Sequence, residues 1–288
     1  MSRSIEGKIK INSFADLVGG KKDAVVEIPL EDLHEFSGHP FRVIDDEKMG
    51  ETVDSIREHG VLVPGIVRPL TTNGYEIISG HRRKRACEIL GLETMPAIIK
   101  NYSDDEAVIA MVDSNIYRDD ILPSEKARAY KMKFDALKHQ GSKEGGRTLD
   151  VISEKAGESA RTILRYLNLS RLIDGLLELV DRKKLQFISG VEISFLTEKE
   201  QSWVLEVIED FEISVSTEKA QKLKDYSSRK ELSKPLVKEI LSDTKPVQRS
   251  FTIKNDKLKK YFDESVTNEE IEKTIFRLLD EWLQKGDC

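Results

Sequence analysis

The segment that most constrains the fold is 75–91, where a short apolar strand passes through Ser79-Gly80 into a helix. The helix begins with His81 and the four cations Arg82-Arg83-Lys84-Arg85. Each cation at that end costs about 0.3–1 kcal/mol when exposed, because the helix dipole is already positive there. The arrangement becomes favourable if an anion occupies the helix start, where free N–H groups, a glycine and arginine side chains suit phosphate oxygens.

The basic helix start has two explanations at this point. In the first, Arg82 and Arg83 point into a pocket above the strands and bind a phosphate, of DNA or of a nucleotide. In the second, the cations form a solvated basic face on which Lys84 pairs with Glu88. In both, Lys84 and Arg85 lean toward solvent.

Elements around this segment predict a mixed α/β domain followed by helices. The pattern predicts strands at 25–29, 65–68, 75–78 and 95–99 and helices at 46–59, 103–113 and 123–138. The Asn73-Gly74 dipeptide favours a tight hairpin turn between two of the strands. Residues 141–146 are predicted to form a flexible, glycine-rich connector.

The overall charge excludes one class of function. The chain has 288 residues with 46 Lys and Arg against 52 Asp and Glu, a net charge of −6, so it cannot coat nucleic acid by bulk charge. No apolar run is long enough to span a membrane, and the start of the chain lacks the apolar stretch of a signal peptide. Two cysteines provide neither a disulfide framework nor a zinc site. We expect a cytoplasmic protein, associated with a nucleoid or plasmid, without a membrane partner.

A second candidate site lies at Asp113-Ser114-Asn115 and Arg118-Asp119-Asp120. Oxygen-bearing side chains after a helix could complete a Mg²⁺ shell shared with a triphosphate, because Mg²⁺ takes few protein ligands and keeps several waters. The alternative is an ordinary turn, for which Asp, Ser and Asn are common residues.

A third candidate is a helix-turn-helix at 149–168. Ile152, Ser153 and Ala156 are predicted to pack the first helix, and Ile163, Leu164 and Leu167 the second. The outward positions would enter a major groove, and the candidate DNA-binding residues are Ser159, Ala160, Arg161, Thr162 and Arg165. The alternative is a helical hairpin without DNA contacts, but residues 159–173 contain no acidic residue although the chain is acidic.

With these segments in this order, the chain resembles the ParB/RepB family of DNA-partition proteins. The resemblance rests on residues 60–68, 74–86 and 114–127 and on the helix-turn-helix, and it spans about 25–196. It implies that the N-terminal domain binds CTP with Mg²⁺ and that the protein recognises a palindromic centromere-like site on double-stranded DNA. It also implies a homodimer that closes as a clamp sliding along DNA, and a ParA-type ATPase as partner.

The resemblance also implies roles for individual residues. Gly80, Arg82 and Arg83 would hold the triphosphate, and Asn115 would help to place Mg²⁺. The remaining candidate nucleotide-binding residues are Gly60, Pro64, Gly74, Tyr75, His81 and Ser114.

Three positions depart from the family pattern. His81 stands where the family box usually has Glu, Ser114 replaces the Glu of a Glu-Asn pair, and Val63 replaces a frequent Gln. We therefore expect at most slow CTP hydrolysis, and we assign no catalytic residue. The spacing around 122–126 resembles the branch carried on plasmids and conjugative elements.

The predicted fold class is α+β, with a small mixed N-terminal domain, an all-α domain and a short C-terminal helical region. The predicted divisions are a flexible leader, a ParB-like nucleotide-binding domain, a helix-turn-helix DNA-binding domain, and a linker with a C-terminal helix, at 1–23, 24–122, 123–226 and 227–288. The apolar stripe from Ile271 to Trp282 either pairs two chains, as a palindromic site requires, or packs on its own domain.

Four functions compete. The leading one is a site-specific DNA-binding partition protein switched by a nucleotide, and the second is a transcription regulator or nucleoid-occlusion factor without an ATPase partner. A sulfiredoxin-like enzyme would need a cysteine nucleophile in the glycine loop, and the nearest cysteine is Cys87. A nuclease would need a carboxylate cluster, for which only Asp113, Asp119 and Asp120 are available.

Overall fold

The computed structural model describes residues 24–71, 73–118, 120–141, 145–242, 258, 260–263 and 266–284. The chain divides into two units, 1–242 and 243–288. The predicted leader at 1–23 and residues 142–144 of the predicted connector lie outside the described residues. In the described parts of the chain, no helix combines the length and the apolar character that crossing a bilayer would require.

The first unit contains a five-stranded mixed sheet in the order β1-β5-β3-β4-β2. The β1–β5 and β3–β4 pairs are antiparallel, and the β5–β3 and β4–β2 pairs are parallel. The strands are β1 (Val25–Pro29), β2 (Leu33–His34), β3 (Gly65–Pro69), β4 (Tyr75–Ser79) and β5 (Thr94–Ile99).

Twelve described α-helices accompany the sheet. Those of the first unit are α1 (Glu47–His59), α2 (His81–Ile89), α3 (Asp104–Asn115), α4 (Pro123–His139), α5 (Gly145–Ala156), α6 (Ala160–Leu169), α7 (Asp174–Asp181), α8 (Phe187–Ile193), α9 (Glu198–Phe211), α10 (Thr217–Ser228) and α11 (Lys234–Ser242). The second unit contains α12 (Asn268–Gln284). The α+β class, with one mixed domain followed by helices, is confirmed.

Strand β4 separates two hydrophobic cores. Successive residues of a strand point to opposite faces, and Ile77 and Ile78 are both fully buried. Ile77 packs with α1 and α2 in one core, whereas Ile78 packs with α3 to α6 in the other. The second core joins elements on both sides of residue 122, so the predicted division at that point stays a prediction. A third core holds α7 to α11.

Local signals in the sequence explain where several helices begin. The Asp46 carboxylate caps α1 by accepting from the Met49 N–H at 2.9 Å, and Gly60 ends that helix. Ser103 and Glu106 form a capping box at the start of α3, and Pro123 is the first residue of α4.

Three sequence-based expectations about local structure are wrong. The β3–β4 hairpin is not a tight turn, because residues 70–74 separate its strands. The predicted linker after residue 226 contains α11, whose Val237 and Leu241 are fully buried in the third core. Leu164 does not anchor α6, since 46% of its surface is exposed.

Candidate functional site

The start of α2 is built for close approach to a ligand. Gly80 precedes the helix with φ 118°, and a Cβ there would lie 3.3 Å from the Gly65 Cα. Glycine is thus required by both backbone conformation and space. No acidic side chain lies in the first turn of α2, so the helix N-terminus keeps its positive potential.

Three of the four cations after His81 are paired with acidic side chains. The Arg82 Nη2 lies 3.1 Å from the Asp46 Oδ1, and the Arg85 Nη2 lies 2.6 Å from the Asp45 Oδ2. Lys84 pairs with Glu88, as the solvated-face alternative predicted, and this bond lowers the pKa of the Glu88 carboxyl. The protein itself therefore neutralises much of the basic helix start.

Arg83 differs from these three cations. Its Nη1 donates to the carbonyl oxygens of Val63 and of Pro64, the latter at 2.7 Å. Burial lowers the pKa of its guanidinium. No acidic partner of Arg83 occurs among the described residues, so its charge is available to an anion.

A cavity of about 160 Å³ opens above Gly80. It brings together six of the ten predicted nucleotide-binding residues with four others. Its lining residues are His39, Val43, Ser79, Gly80, His81, Arg82, Arg83, Ser114, Asn115 and Arg118.

Two histidines form part of this cavity wall. His81 is 8% exposed, and its ring centroid lies 3.8 Å from that of His39. The Nε2 atoms of both rings are buried without a hydrogen-bond partner in the described residues. Burial, His39, Lys84 and Arg83 lower the pKa of His81 to about 3, so both imidazoles are neutral at pH 7.

The second candidate segment contributes the end of α3. The Asn115 Nδ2 donates to the Met111 carbonyl at 2.9 Å, which leaves its Oδ1 for a ligand. The Ser114 hydroxyl donates to the same carbonyl at 2.9 Å. Asp113 is bound to the buried Lys133.

A divalent metal finds few ligands in this segment. Asp120 lies 3.4 Å from the Lys48 ammonium, and Asp119 lies outside the described residues. The described residues contain no group of three or more His, Cys, Asp or Glu that could hold a metal ion. The carboxylate cluster that a nuclease would need is therefore not found in the described part of the chain.

The other predicted nucleotide-binding residues divide into two groups. Gly60 lines an open groove of about 390 Å³ that shares Arg83 with the cavity, and Pro64 is the residue after Val63, which also lines that groove. Gly74 and Tyr75 lie at the opposite end of β4 from Gly80, roughly 17–20 Å away at about 3.3 Å per residue. The geometry does not bring this last pair to the cavity, because β4 separates them.

Sequence reasoning missed His39 as a cavity residue and gave Arg118 no role in binding. Each lies in an irregular segment without periodicity, and reaches the cavity only through the fold. Cys87 is fully buried, and burial raises the pKa of its thiol. It is therefore an inert core residue rather than the loop nucleophile that a sulfiredoxin-like enzyme would need.

Helices α5 and α6 form the predicted helix-turn-helix. Ile152 and Ile163 are fully buried between them, and Gly157 lies in the turn with φ 66°. The Ser159 hydroxyl caps α6 by accepting from the Thr162 N–H at 3.1 Å. The start of α6 is thus capped and has no acidic residue in its first turn.

The predicted DNA-binding residues lie at this surface in different environments. Arg161 is exposed, whereas Ala160, Thr162 and Arg165 are half-buried. The Ser159 and Thr162 hydroxyls are 2.9 Å apart. Ser159 is also exposed, so Arg161 is the exposed one of the two predicted DNA-binding arginines.

The helix-turn-helix and the cavity share one hydrophobic core. Met111 and Ile116, near the cavity end of α3, pack in the same core as Ile152 and Ile163. The Tyr117 hydroxyl also donates to the Lys155 carbonyl of α5. The end of α3 and the helix-turn-helix therefore pack in a common core.

In the second unit, α12 exposes apolar side chains. Phe276, Leu278 and Leu279 are each about half exposed, at 57%, 53% and 47%. The side chain of Trp282, at the end of the predicted stripe, lies outside the described residues.

Comparisons with known proteins identify similar chains. The model of the ParB N-terminal domain matches residues 16–116. A nucleoid occlusion protein of Listeria innocua is 32% identical over 206 residues, which cover 71% of this chain and 69% of that protein. The chromosome-partitioning protein Spo0J of Thermus thermophilus is 31% identical over 201 residues, which cover 70% of each chain.

Similar solved structures include two of C-terminally truncated chromosome-partitioning protein ParB from Caulobacter crescentus. The complex with the centromeric parS site is 22% identical, covers 69% of this chain and 98% of that chain, and has a TM-score of 0.44. The complex with CTP-gamma-S is 26% identical, covers 61% and 94%, and has a TM-score of 0.31.

Proposed function

The chain belongs to the ParB family of DNA-binding partition proteins, and on this basis we propose that it is a site-specific DNA binder switched by a nucleotide. The helix-turn-helix would bind double-stranded DNA, and the cavity above Gly80 would bind CTP. The observation that carries the proposal is the hydrophobic core that α3 shares with α5 and α6. A ligand at the end of α3 would act on the DNA-binding helices through this packing.

Nucleotide binding is supported by Arg83 and the residues around it. Its guanidinium contacts only carbonyl oxygens among the described residues, so a phosphate oxygen would provide its first charged partner. Gly80 permits the phosphate to approach the helix N-terminus, and Arg118 lines the same cavity.

Titration calorimetry against CTP, ATP, GTP and UTP tests this assignment. We expect selective binding of CTP, loss of binding in Arg83→Ala, and near-normal binding in Lys84→Ala, whose ammonium is already paired with Glu88. DNA binding should be retained in Arg83→Ala. Equal loss of nucleotide and DNA binding would contradict two separable sites.

DNA recognition is supported by the exposed, acid-free start of α6. We propose a palindromic centromere-like site, with Arg161 and Arg165 contacting bases or phosphates. Arg161→Ala should weaken binding and reduce the slope of log K against log salt by about one per lost phosphate contact. Arg182→Ala is the matched control, because this exposed arginine lies outside the helix-turn-helix and pairs with Glu178. Unchanged binding in Arg161→Ala would move recognition away from α6.

We propose a homodimer, as a palindromic site requires. The exposed apolar side chains of α12 support pairing through that helix. Leu278→Glu should convert a dimer into a monomer in sedimentation equilibrium, whereas Arg277→Glu on the same helix should not. A dimer that survives Leu278→Glu would place the pairing surface elsewhere.

The role in the cell has two candidates. A partition protein would act with a ParA-type ATPase, whereas a nucleoid-occlusion factor, the role named for the Listeria innocua relative, would not. We favour partition, which the Thermus thermophilus relative's name describes. Stimulation of a ParA-type ATPase from the same genome by the purified protein with DNA would support partition. No stimulation would favour nucleoid occlusion.

The Mg²⁺ that the family resemblance implies fits this cavity poorly. Among the described lining residues, the oxygen donors are the Asn115 amide oxygen and the hydroxyls of Ser79 and Ser114. None is charged, although Mg²⁺ in nucleotide sites is usually held by one or two carboxylates. We therefore derive no step through this ion.

A further inference from the structure

The cavity above Gly80 has an unusual charge for a site that is expected to hold a cation with its nucleotide. Its described lining contains three arginines and two histidines and no aspartate or glutamate; the three arginines are Arg82, Arg83 and Arg118. The positive potential of the α2 N-terminus adds to theirs. A divalent cation would therefore be repelled by every charged group that we find in the lining.

Two acidic side chains lie close in sequence to the lining residues, and both already bind other groups of the protein. Asp46 binds Arg82 and also caps α1. Asp113 is bound to Lys133, and its Oδ2 lies 3.9 Å from the Lys155 ammonium. Recruiting Asp113 to a metal would leave the ammonium of Lys133, which is 1% exposed, without its acidic partner.

The positions that could supply a ligand also disfavour Mg²⁺. His81 is a buried neutral imidazole, and imidazole suits softer ions such as Zn²⁺ better than Mg²⁺. The Ser114 hydroxyl is used in a hydrogen bond to the Met111 carbonyl. The Asn115 Oδ1 and the Ser79 hydroxyl are thus neutral oxygens among cations.

We propose that this cavity binds its nucleotide without a divalent cation, with Arg83 and Arg118 contacting the phosphates in place of a metal. Guanidinium groups neutralise phosphate charge and bind its oxygens in a bidentate manner. Arg83 gains its first charged partner on binding. The Arg118 Nε lies 3.5 Å from the Asp120 carboxylate in a partly exposed ion pair. On nucleotide binding, Arg118 leaves this pair and contacts a phosphate instead.

The inference rests on the proposed nucleotide function, and calorimetry with the full chain tests both. CTP and inorganic triphosphate are each titrated once in EDTA and once with excess Mg²⁺. We expect the dissociation constant in EDTA to lie within about threefold of that in Mg²⁺. Binding that weakens more than about thirtyfold in EDTA would overturn the inference and leave the nucleotide function intact. No binding of either probe under either condition would overturn both.

A gain-of-function variant provides the second test. Ser114→Glu adds a carboxylate at the exposed end of α3, where it should fold normally. It should weaken triphosphate binding in EDTA by about tenfold or more, through repulsion of the phosphates, and Mg²⁺ should restore the binding.

Ser114→Gln is the matched control, since it adds a side chain of similar size without charge. It should bind equally well in EDTA and in Mg²⁺. If Ser114→Glu binds triphosphate in EDTA as well as Ser114→Gln does, the phosphates do not lie at this wall and the inference fails. Arg118→Ala should weaken binding in EDTA, and unchanged affinity would equally contradict the proposal.

Discussion

The buried histidine pair predicts that the protein loses stability in mild acid. Burial, together with His39, Lys84 and Arg83, lowers the pKa of His81 to about 3 in the folded protein. In the unfolded chain a histidine has a pKa of about 6.5. Between these values the unfolded chain binds a proton that the folded protein does not bind. Stability is therefore full above about pH 6.5 and is lost as the pH falls toward 3.

The size of this effect follows from the difference in bound protons. One extra proton on the unfolded chain changes the free energy of unfolding by about 1.4 kcal/mol per pH unit. From pH 7 to pH 5, His81 alone should lower it by about 2 kcal/mol, because the unfolded histidine is only partly protonated in the upper part of that range. The lowered pKa of His39 acts in the same direction.

Carboxyl groups with lowered pKa values contribute little to the loss of stability between pH 7 and pH 5. The pKa values of Asp46, Glu88 and Glu200 are lowered from values of 3.8 to 4.5, so their contribution is lost mainly below about pH 5. A loss of stability between pH 7 and pH 5 therefore reports the histidines.

Urea unfolding followed by circular dichroism at pH 7, 6 and 5 measures the effect. His81→Gln cannot titrate, so its free energy of unfolding should fall by about 2 kcal/mol less than that of the wild type over this range. His59→Gln is the control, because the side chain of His59 is 59% exposed. If the wild type and His81→Gln lose the same stability, His81 is not a buried neutral imidazole and the reasoning is refuted.

Three further substitutions test the packing around the site by the same unfolding assay. Asp113→Asn should lower the free energy of unfolding by up to about 3 kcal/mol, because it removes the acidic partner of the buried Lys133. An unchanged free energy of unfolding would mean that the pair is not formed. Gly74→Ala should lower the free energy of unfolding more than Gly38→Ala does. Both glycines have positive φ, but only a Cβ at position 74 would meet a backbone oxygen, at 2.5 Å. Equal losses of stability in the two variants would contradict this. Ile163→Ala should lower the free energy of unfolding by about 2–5 kcal/mol and also weaken DNA binding. A stable variant with normal DNA binding would show that DNA binding does not need the core shared by α3, α5 and α6.

Local signals were sufficient to predict much of the fold. The structure confirms the predicted helices at 46–59, 103–113 and 123–138 to within two residues at each end, and each helix begins at a local signal, namely Asp46, Ser103 or Pro123. The same holds for the strand, glycine and helix at 75–91, because the apolar residues and the glycine position are contained in the segment.

Features that depend on distant contacts could not be predicted in this way. Strand β2 has only two residues and exists because it pairs in parallel with β4. Helix α11 lies in a polar segment, and its apolar residues became recognisable as core only against α9 and α10. His39 reaches the cavity from an irregular loop, which no periodicity could indicate.

The charges at the start of α2 identify the candidate site from the sequence, but for an incomplete reason. Four cations at a helix N-terminus suggested either that an anion occupies the helix start or that the cations form a solvated basic face. Asp45, Asp46 and Glu88 compensate three of them within the chain, and two of these acidic residues come from the segment just before α1, about 40 residues away. The demand for an external anion is thereby reduced to Arg83, which contacts only carbonyl oxygens among the described residues. Ligand affinity should accordingly depend strongly on Arg83 and weakly on its neighbours, because the neighbours would first have to give up partners that they already hold.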